Sequence, residues 1–225
     1  MLSILVAHSY FLRFDRKQQE RAKPYPPLAT LHVASMLRQA GHTVRVFDAM
    51  LAEGLDEYEQ LLADMRPQLV LLYEDSFNFL SKMCLERMRQ ASCQMISKAR
   101  QDGARVIAVG SDASDTPEPY LRAGADTVLF GEGLQSLQAL SERLDTNPSL
   151  PISSLIEGLG DLAAVLGGQL KVFKNAHPSP SRRQMDPPAW DLIDIERYRT
   201  VWQRAHGFFS LNMAASRGCS FRALF

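Results

Sequence analysis

Five short apolar runs punctuate the first 145 residues: 3–7 (SILVA), 43–47 (TVRVF), 68–72 (QLVLL), 104–109 (ARVIAV) and 126–130 (DTVLF). They are nearly continuous rather than alternating, as strands are when both faces of a sheet are covered. Between them, apolar positions recur at helical spacing over about 28–40, 55–65, 79–101, 117–123 and 133–144. Strands alternating with helices predict an α/β domain with a five-stranded parallel sheet, right-handed crossovers and helices on both faces. The breakers agree. Gly41, Gly103 and Gly124 stand where helices should stop, and Arg66-Pro67 ends another, because the residue before proline avoids the helical region. In the longest helical segment Leu80, Met83, Cys84, Met88, Ala91, Met95, Ile96 and Ala99 approximate one face.

The pattern changes after about residue 145. Thr146-Asn147-Pro148-Ser149-Leu150-Pro151 has linker composition. Residues 162–173 (LAAVLGGQLKVF) predict a hairpin around Gly167-Gly168. Residues 177–183 are irregular and basic, and Asp186-Pro187-Pro188-Ala189-Trp190-Asp191-Leu192 is a stiff turn leading to a short helix over about 191–199. An apolar strand is predicted over 208–215, followed by Ser216-Arg217-Gly218-Cys219. The expected organisation is a first domain over 1–145, a linker with a β-hairpin over 146–194, and the beginning of a second domain over 195–225. That last piece is expected to be poorly packed without the rest of its domain.

With 225 residues the chain holds one full domain and a remainder. Lys plus Arg number 25 against 25 Asp plus Glu, so the formal net charge is zero. This gives no support to sequence-independent nucleic-acid binding, which needs a basic surface. No run approaches the ~18 apolar residues of a membrane span. The apolar start lacks a basic leader and is too short for a secretory signal, so it reads as the first strand. Three cysteines, Cys84, Cys93 and Cys219, make no disulfide framework. A reducing, cytoplasmic setting is expected.

In an open α/β sheet, ligands bind beyond the carboxyl ends of the strands. The candidate loops are therefore His8-Ser9-Tyr10, Asp48-Ala49-Met50, Tyr73-Glu74-Asp75-Ser76, Gly110-Ser111-Asp112-Ala113-Ser114 and Gly131-Glu132-Gly133. Their hydroxyls, carboxylates and glycines suit a ligand bearing amides, phosphate or hydroxyls; each loop is otherwise a solvated turn. Neither G-x-G-x-x-G after the first strand nor G-x-x-x-x-G-K-[ST] occurs. No histidine stands at metal-ligand spacing from a second His or Cys. Cys219, flanked by glycine just beyond a predicted strand, is either a metal ligand or a free thiol in a loop. One cysteine alone holds no iron–sulfur cluster.

Several stretches together resemble the N-terminal part of cobalamin-binding radical S-adenosylmethionine (SAM) enzymes. Tyr25-Pro26-Pro27-Leu28-Ala29, running on to Ala40-Gly41-His42, resembles that family's proline-leucine lead into its first helix. Val109-Gly110-Ser111-Asp112-Ala113 is similar to its glycine-bearing loop after strand four. Asp126-Thr127-Val128-Leu129-Phe130-Gly131-Glu132-Gly133 looks like its aspartate-strand-GEG element. Asp186 to Leu192 and Arg217-Gly218-Cys219-Ser220-Phe221-Arg222 look like the approach to its cluster loop.

The resemblance implies a five-stranded parallel Rossmann-like (flavodoxin-like) cobalamin-binding domain followed by the truncated start of a radical SAM barrel, whose C-x3-C-x2-C motif holds a [4Fe-4S] cluster. Cys219 matches the first cysteine, Ala223 stands at the second position, and the third falls beyond Phe225. Cluster and SAM are therefore implied only for an intact full-length relative, and the chain as given is expected to be catalytically incomplete. Cobalamin contacts are implied for His8, Ser9, Asp48, Asp75, Ser76, Gly110, Ser111, Asp112, Gly131, Glu132 and Gly133. At Asp48-Ala49-Met50, methionine stands where a D-x-H-x-x-G motif has its cobalt-ligating histidine, so cobalamin is expected to be held without a His–Co bond. The implied activity is methyltransferase-like, on an unidentified small molecule. The alternatives are a stand-alone or degenerate cobalamin module without catalysis, and half of a nucleotide-sugar transferase.

Overall fold

The computed structural model describes residues 1–74, 85–174 and 187–214. Five strands, β1 (Ser3–Ala7), β2 (Thr43–Phe47), β3 (Leu69–Tyr73), β4 (Arg105–Val109) and β5 (Thr127–Leu129), form one parallel set. Two antiparallel strands, β6 (Leu162–Leu166) and β7 (Gln169–Phe173), complete a seven-stranded sheet in the order β2-β1-β3-β4-β5-β6-β7. The parallel part follows the 2-1-3-4-5 order of doubly wound folds, with its switch point between β1 and β3.

The period of two along each strand sorts side chains onto two faces. Leu5, Ala7, Val70, Leu72, Val106 and Ala108 pack under α3 (Leu55–Met65), α4 (Leu85–Gln101) and α6 (Pro117–Arg122). Ile4, Val6, Leu69, Leu71, Ile107 and Val109 pack under α2 (Leu28–Gln39) and α7 (Leu134–Thr146). All twelve are buried, which is why the strands read as unbroken apolar runs. The helices that build the two layers fall within one or two residues of their expected places. The stretch 79–84, where the long helix is expected to begin, lies outside the described residues. Three short helices were not expected: α1 (Arg16–Arg21), α5 (Ser111–Asp115) and α8 (Ile152–Leu155).

The hairpin expected within a linker instead extends the sheet. Val128 and Leu129 of β5 pair antiparallel with Ala163 and Leu162 of β6. The reason is burial: Leu162, Ala163 and Ala164 are fully enclosed, and Thr127 donates through Oγ1 to the Ala163 carbonyl at 2.9 Å.

The C-terminal segment also departs from expectation. The strand predicted over 208–215 does not form among residues 208–214, where Phe208, Leu211 and Met213 remain exposed. The preceding helix, α9 (Ile195–His206), is well packed rather than loose. Asp194 caps it by accepting from the Glu196 N–H at 3.0 Å, and Gly207 ends it at φ +77. Tyr198 and Trp202 are almost wholly buried against the N-terminal part of the chain. The Trp202 Nε1–H donates to the Pro24 carbonyl at 2.7 Å, and Asn212 Nδ2 donates to that of Pro26 at 3.1 Å. Sequence patterning gives an amphipathic face but not the surface it meets. Here that surface is the irregular stretch 22–26, which has no periodicity of its own.

Candidate functional site

The carboxyl edge of the parallel strands gathers polar side chains from loops far apart in sequence. After β1, His8 and Ser9 are both 1 % exposed. After β3, Glu74 turns back across the switch point. Its Oε1 accepts from Ser9 Oγ at 2.6 Å and from Ser92 Oγ of α4 at 3.1 Å, and its Oε2 accepts from the Ser9 N–H at 3.3 Å. Glu74 as a residue keeps partial exposure, but its carboxyl lies among these donors and near His8. Burial raises its pKa above the usual value near 4.5, only partly offset by the Ser9 hydroxyl, by His8 and by Ser92.

After β2, Asp48 caps a 3-10 turn over Ala49–Leu51 by accepting from the Met50 N–H at 3.1 Å. The same oxygen lies 3.0 Å from His8 Nε2, which also receives the Ala49 N–H at 3.1 Å. The second Asp48 oxygen accepts from the Tyr198 hydroxyl at 2.6 Å. Met50, at the position compared with a cobalt-ligating histidine, is 1 % exposed and packs with Tyr10, Leu12, Met88 and Tyr198. It is a core residue.

Beyond β4, Gly110 is extended and buried, and a Cβ there would lie 2.9 Å from Cβ and Cγ of Glu74. The glycine lets the Glu74 stem cross the strand end. Ser111, which begins α5, is exposed. Asp112 is turned away from solvent. Arg89 of α4 holds it in a fork, Nε at 2.8 Å and Nη2 at 2.6 Å, and the Tyr120 hydroxyl donates to it at 2.7 Å. Burial pushes the Asp112 pKa up, but the Arg89 and Tyr120 hydrogen bonds outweigh this and hold it below the usual carboxylate value. Its carboxylate joins α4, α5 and α6, so what this loop offers a ligand is the Ser111 hydroxyl and backbone.

After β5, Gly131 and Gly133 adopt φ of +61 and +58, and Gly133 leads into α7. A Cβ on Gly133 would stand 2.7 Å from that of Leu129, so glycine is required by conformation and by space together. Ser114 links this loop to the previous one, accepting from the Gly131 N–H at 3.2 Å and donating to the Gly110 carbonyl at 2.8 Å. Tyr73 Oη donates to the Glu132 carbonyl at 2.9 Å.

Of the sequence candidates, the structure thus brings His8, Ser9 and Asp48 together at one end of the edge, and Gly110, Ser111, Gly131, Glu132 and Gly133 at the other. Asp75, Ser76 and Cys219 lie outside the described residues. Glu74, Tyr198, Arg89 and Tyr120 were not singled out from sequence. Glu74 had a signal, its place between a buried strand and a polar loop; the other three sit on helices and are tied to the edge only by the fold.

A groove of about 590 Å³ opens beside β2, between α3 and residues 192–197. Asp48, Asp56, Glu57, Asp64 and Asp194 line it, and among the described residues Arg197 is the one cation of the lining. That sign disfavours a phosphate-bearing ligand there.

Three comparisons bear on identity. The chain matches the family model of the B12 binding domain over residues 19–141, just over half its length. A search of curated proteins gave no match. Among solved structures, the fold is similar to a radical S-adenosylmethionine methyltransferase, TsrM, from Kitasatospora setae, determined with tryptophan substrate and a SAM analogue bound. That similarity has a TM-score of 0.51 at 19% identity and covers 76% of this chain. The chain spans 30% of that protein's length. Among the described residues no helix is long and apolar enough to cross a membrane. With the 2-1-3-4-5 parallel order and the polar carboxyl edge already in place, the match over 19–141 identifies the chain as a member of the B12-binding domain family.

Proposed function

We propose that this chain is the cobalamin-binding portion of a radical SAM enzyme of methyltransferase type. The single observation that carries the reading is the B12-binding match laid over a sheet whose carboxyl edge presents an exposed hydroxyl and glycines in the loops after β4 and β5. The likeness of fold to TsrM supports the radical-enzyme half.

The donor chemistry fits. A corrin ring is rimmed with carboxamides, which pair with hydroxyls and backbone amides rather than with charges. The exposed Ser111 hydroxyl is a group of that kind, and Gly131 and Glu132 are exposed as well. In this reading Ser111, Gly131, Glu132 and Gly133 hold the cofactor from the β4 and β5 side. Gly110 and Glu74 keep the floor in shape, and Asp112 holds α5 in place through Arg89. Asp75, Ser76 and Cys219 stay in the proposal as sequence candidates, Cys219 as a cluster thiolate. His8 Nε2 receives the Ala49 N–H, and Met50 is in the core, so neither is offered as a cobalt ligand. Bound cobalamin supplies a cobalt centre able to carry a methyl group; the protein's part is binding and orientation. SAM and a [4Fe-4S] cluster belong to the same proposal at the level of the whole enzyme.

The test is a pair of titrations of the purified chain, one with hydroxocobalamin and one with UDP-glucose. Saturable micromolar uptake of the corrin alone is the expected result. Uptake of the nucleotide sugar alone would overturn the reading in favour of a sugar-nucleotide transferase.

A further inference from the structure

The helix α9 lies outside the family match of 19–141, yet it delivers a hydroxyl to the candidate edge. Tyr198 is 1 % exposed, and its ring packs with Tyr10, Leu12, Met50 and Met88. A phenylalanine would fill that apolar setting equally well, and the buried hydroxyl needs a partner to be tolerated there. Its partner is Asp48 Oδ2 at 2.6 Å, the shortest of the contacts to that carboxylate. The other Asp48 oxygen holds the Met50 N–H and faces His8, whose Nε2 receives the Ala49 N–H. His8 directly precedes Ser9, which is bonded to Glu74 across the switch point. The anchoring of α9 does not depend on this hydroxyl. Trp202 binds the Pro24 carbonyl, Arg197 donates to that of Leu51, and the helix is capped at both ends.

We propose that the Tyr198 hydroxyl is a positioning group for the cofactor edge. It fixes Asp48, and through Asp48 it fixes the Ala49–Met50 turn, whose Ala49 N–H in turn holds the His8 ring at Nε2. The unit that holds cobalamin therefore extends through α9, beyond the boundary drawn at 145 from sequence. The functional half of this inference rests on the cobalamin reading; the geometric half does not.

The experiment uses the full 225-residue chain carrying Tyr198→Phe. Amide hydrogen exchange at Ala49 and Met50 is expected to quicken about tenfold, as for a lost bond to a charged group, while β1 and β3 amides keep their protection. Hydroxocobalamin is expected to bind about tenfold more weakly, with an altered induced circular dichroism of the corrin. Unchanged exchange at both amides overturns the positioning role whatever the ligand does. Quickened exchange with unchanged affinity and dichroism overturns its link to the cofactor. Should the wild-type chain take up no hydroxocobalamin, the cobalamin reading fails and the functional half with it, while the exchange at 49 and 50 still decides the geometric half. If Tyr198→Phe does not fold, Tyr198→Met, which also lacks the hydroxyl and leaves Asp48 intact, is read in the same way.

Discussion

At the scale of single residues, the edge is shaped by which carboxylates are already engaged. Glu74 and Asp112 both stand at strand ends, but their surroundings push them in opposite directions. Asp112 has an arginine fork and stays ionised; Glu74 has hydroxyls and an amide and is raised by burial. A carboxyl whose folded pKa lies above its unfolded value binds its proton more tightly in the native state. Its ionisation therefore costs stability as pH rises from about 4.5 through the raised value. Glu74→Gln removes that ionisation and keeps an acceptor for Ser9 and Ser92. The stability of the wild type relative to Glu74→Gln is thus expected to fall across that window. Denaturant melts of both proteins between pH 4 and 7.5 measure it, and a flat difference would contradict the burial of the charge. Gly133 gives a second expectation. Gly133→Ala combines φ +58 with a Cβ 2.7 Å from that of Leu129, and should cost about 1–3 kcal/mol in a urea melt. A cost within error of zero would mean that the loop adjusts freely. Sequence marked Gly133 through its GEG pattern but not this reason, because the clash with Leu129 exists only once α7 turns back over β5.

At the scale of elements, the sequence was most legible where periodicity was strongest. The five parallel strands and their layer helices fall where the apolar runs and the helical spacing put them, since burial on both faces writes a continuous signal. The hairpin 162–173 was legible as a hairpin but not as sheet edge; strand pairing between β5 and β6 is a long-range choice that no local pattern encodes. Tyr198 and Trp202 were equally silent. They look like any aromatic pair on an amphipathic helix until α9 meets Pro24 and Asp48. This docking makes a direct prediction. Trp202 is 2 % exposed, so Trp202→Ala should cost about 3–5 kcal/mol, as core truncations of that size do. Calorimetric or denaturant melts test it. A cost under about 1 kcal/mol would mean that α9 is a loosely attached tail.

At the scale of the whole molecule, a parallel sheet in 2-1-3-4-5 order carries an antiparallel extension at one end, and α9 closes over the carboxyl side of β2 and β1. The switch point is bridged by Ser9 and Glu74, and the loops of β4 and β5 are tied to each other through Ser114. A ligand held here meets a largely preformed edge, so binding should require little reordering. Family membership and the chemistry of this edge converge on one cofactor. The decisive measurement is gel filtration of the purified chain after incubation with excess hydroxocobalamin, read by visible absorbance of the protein peak. The account predicts close to one corrin per chain co-eluting with folded protein. A folded, monodisperse peak that carries no corrin at high micromolar ligand would contradict it.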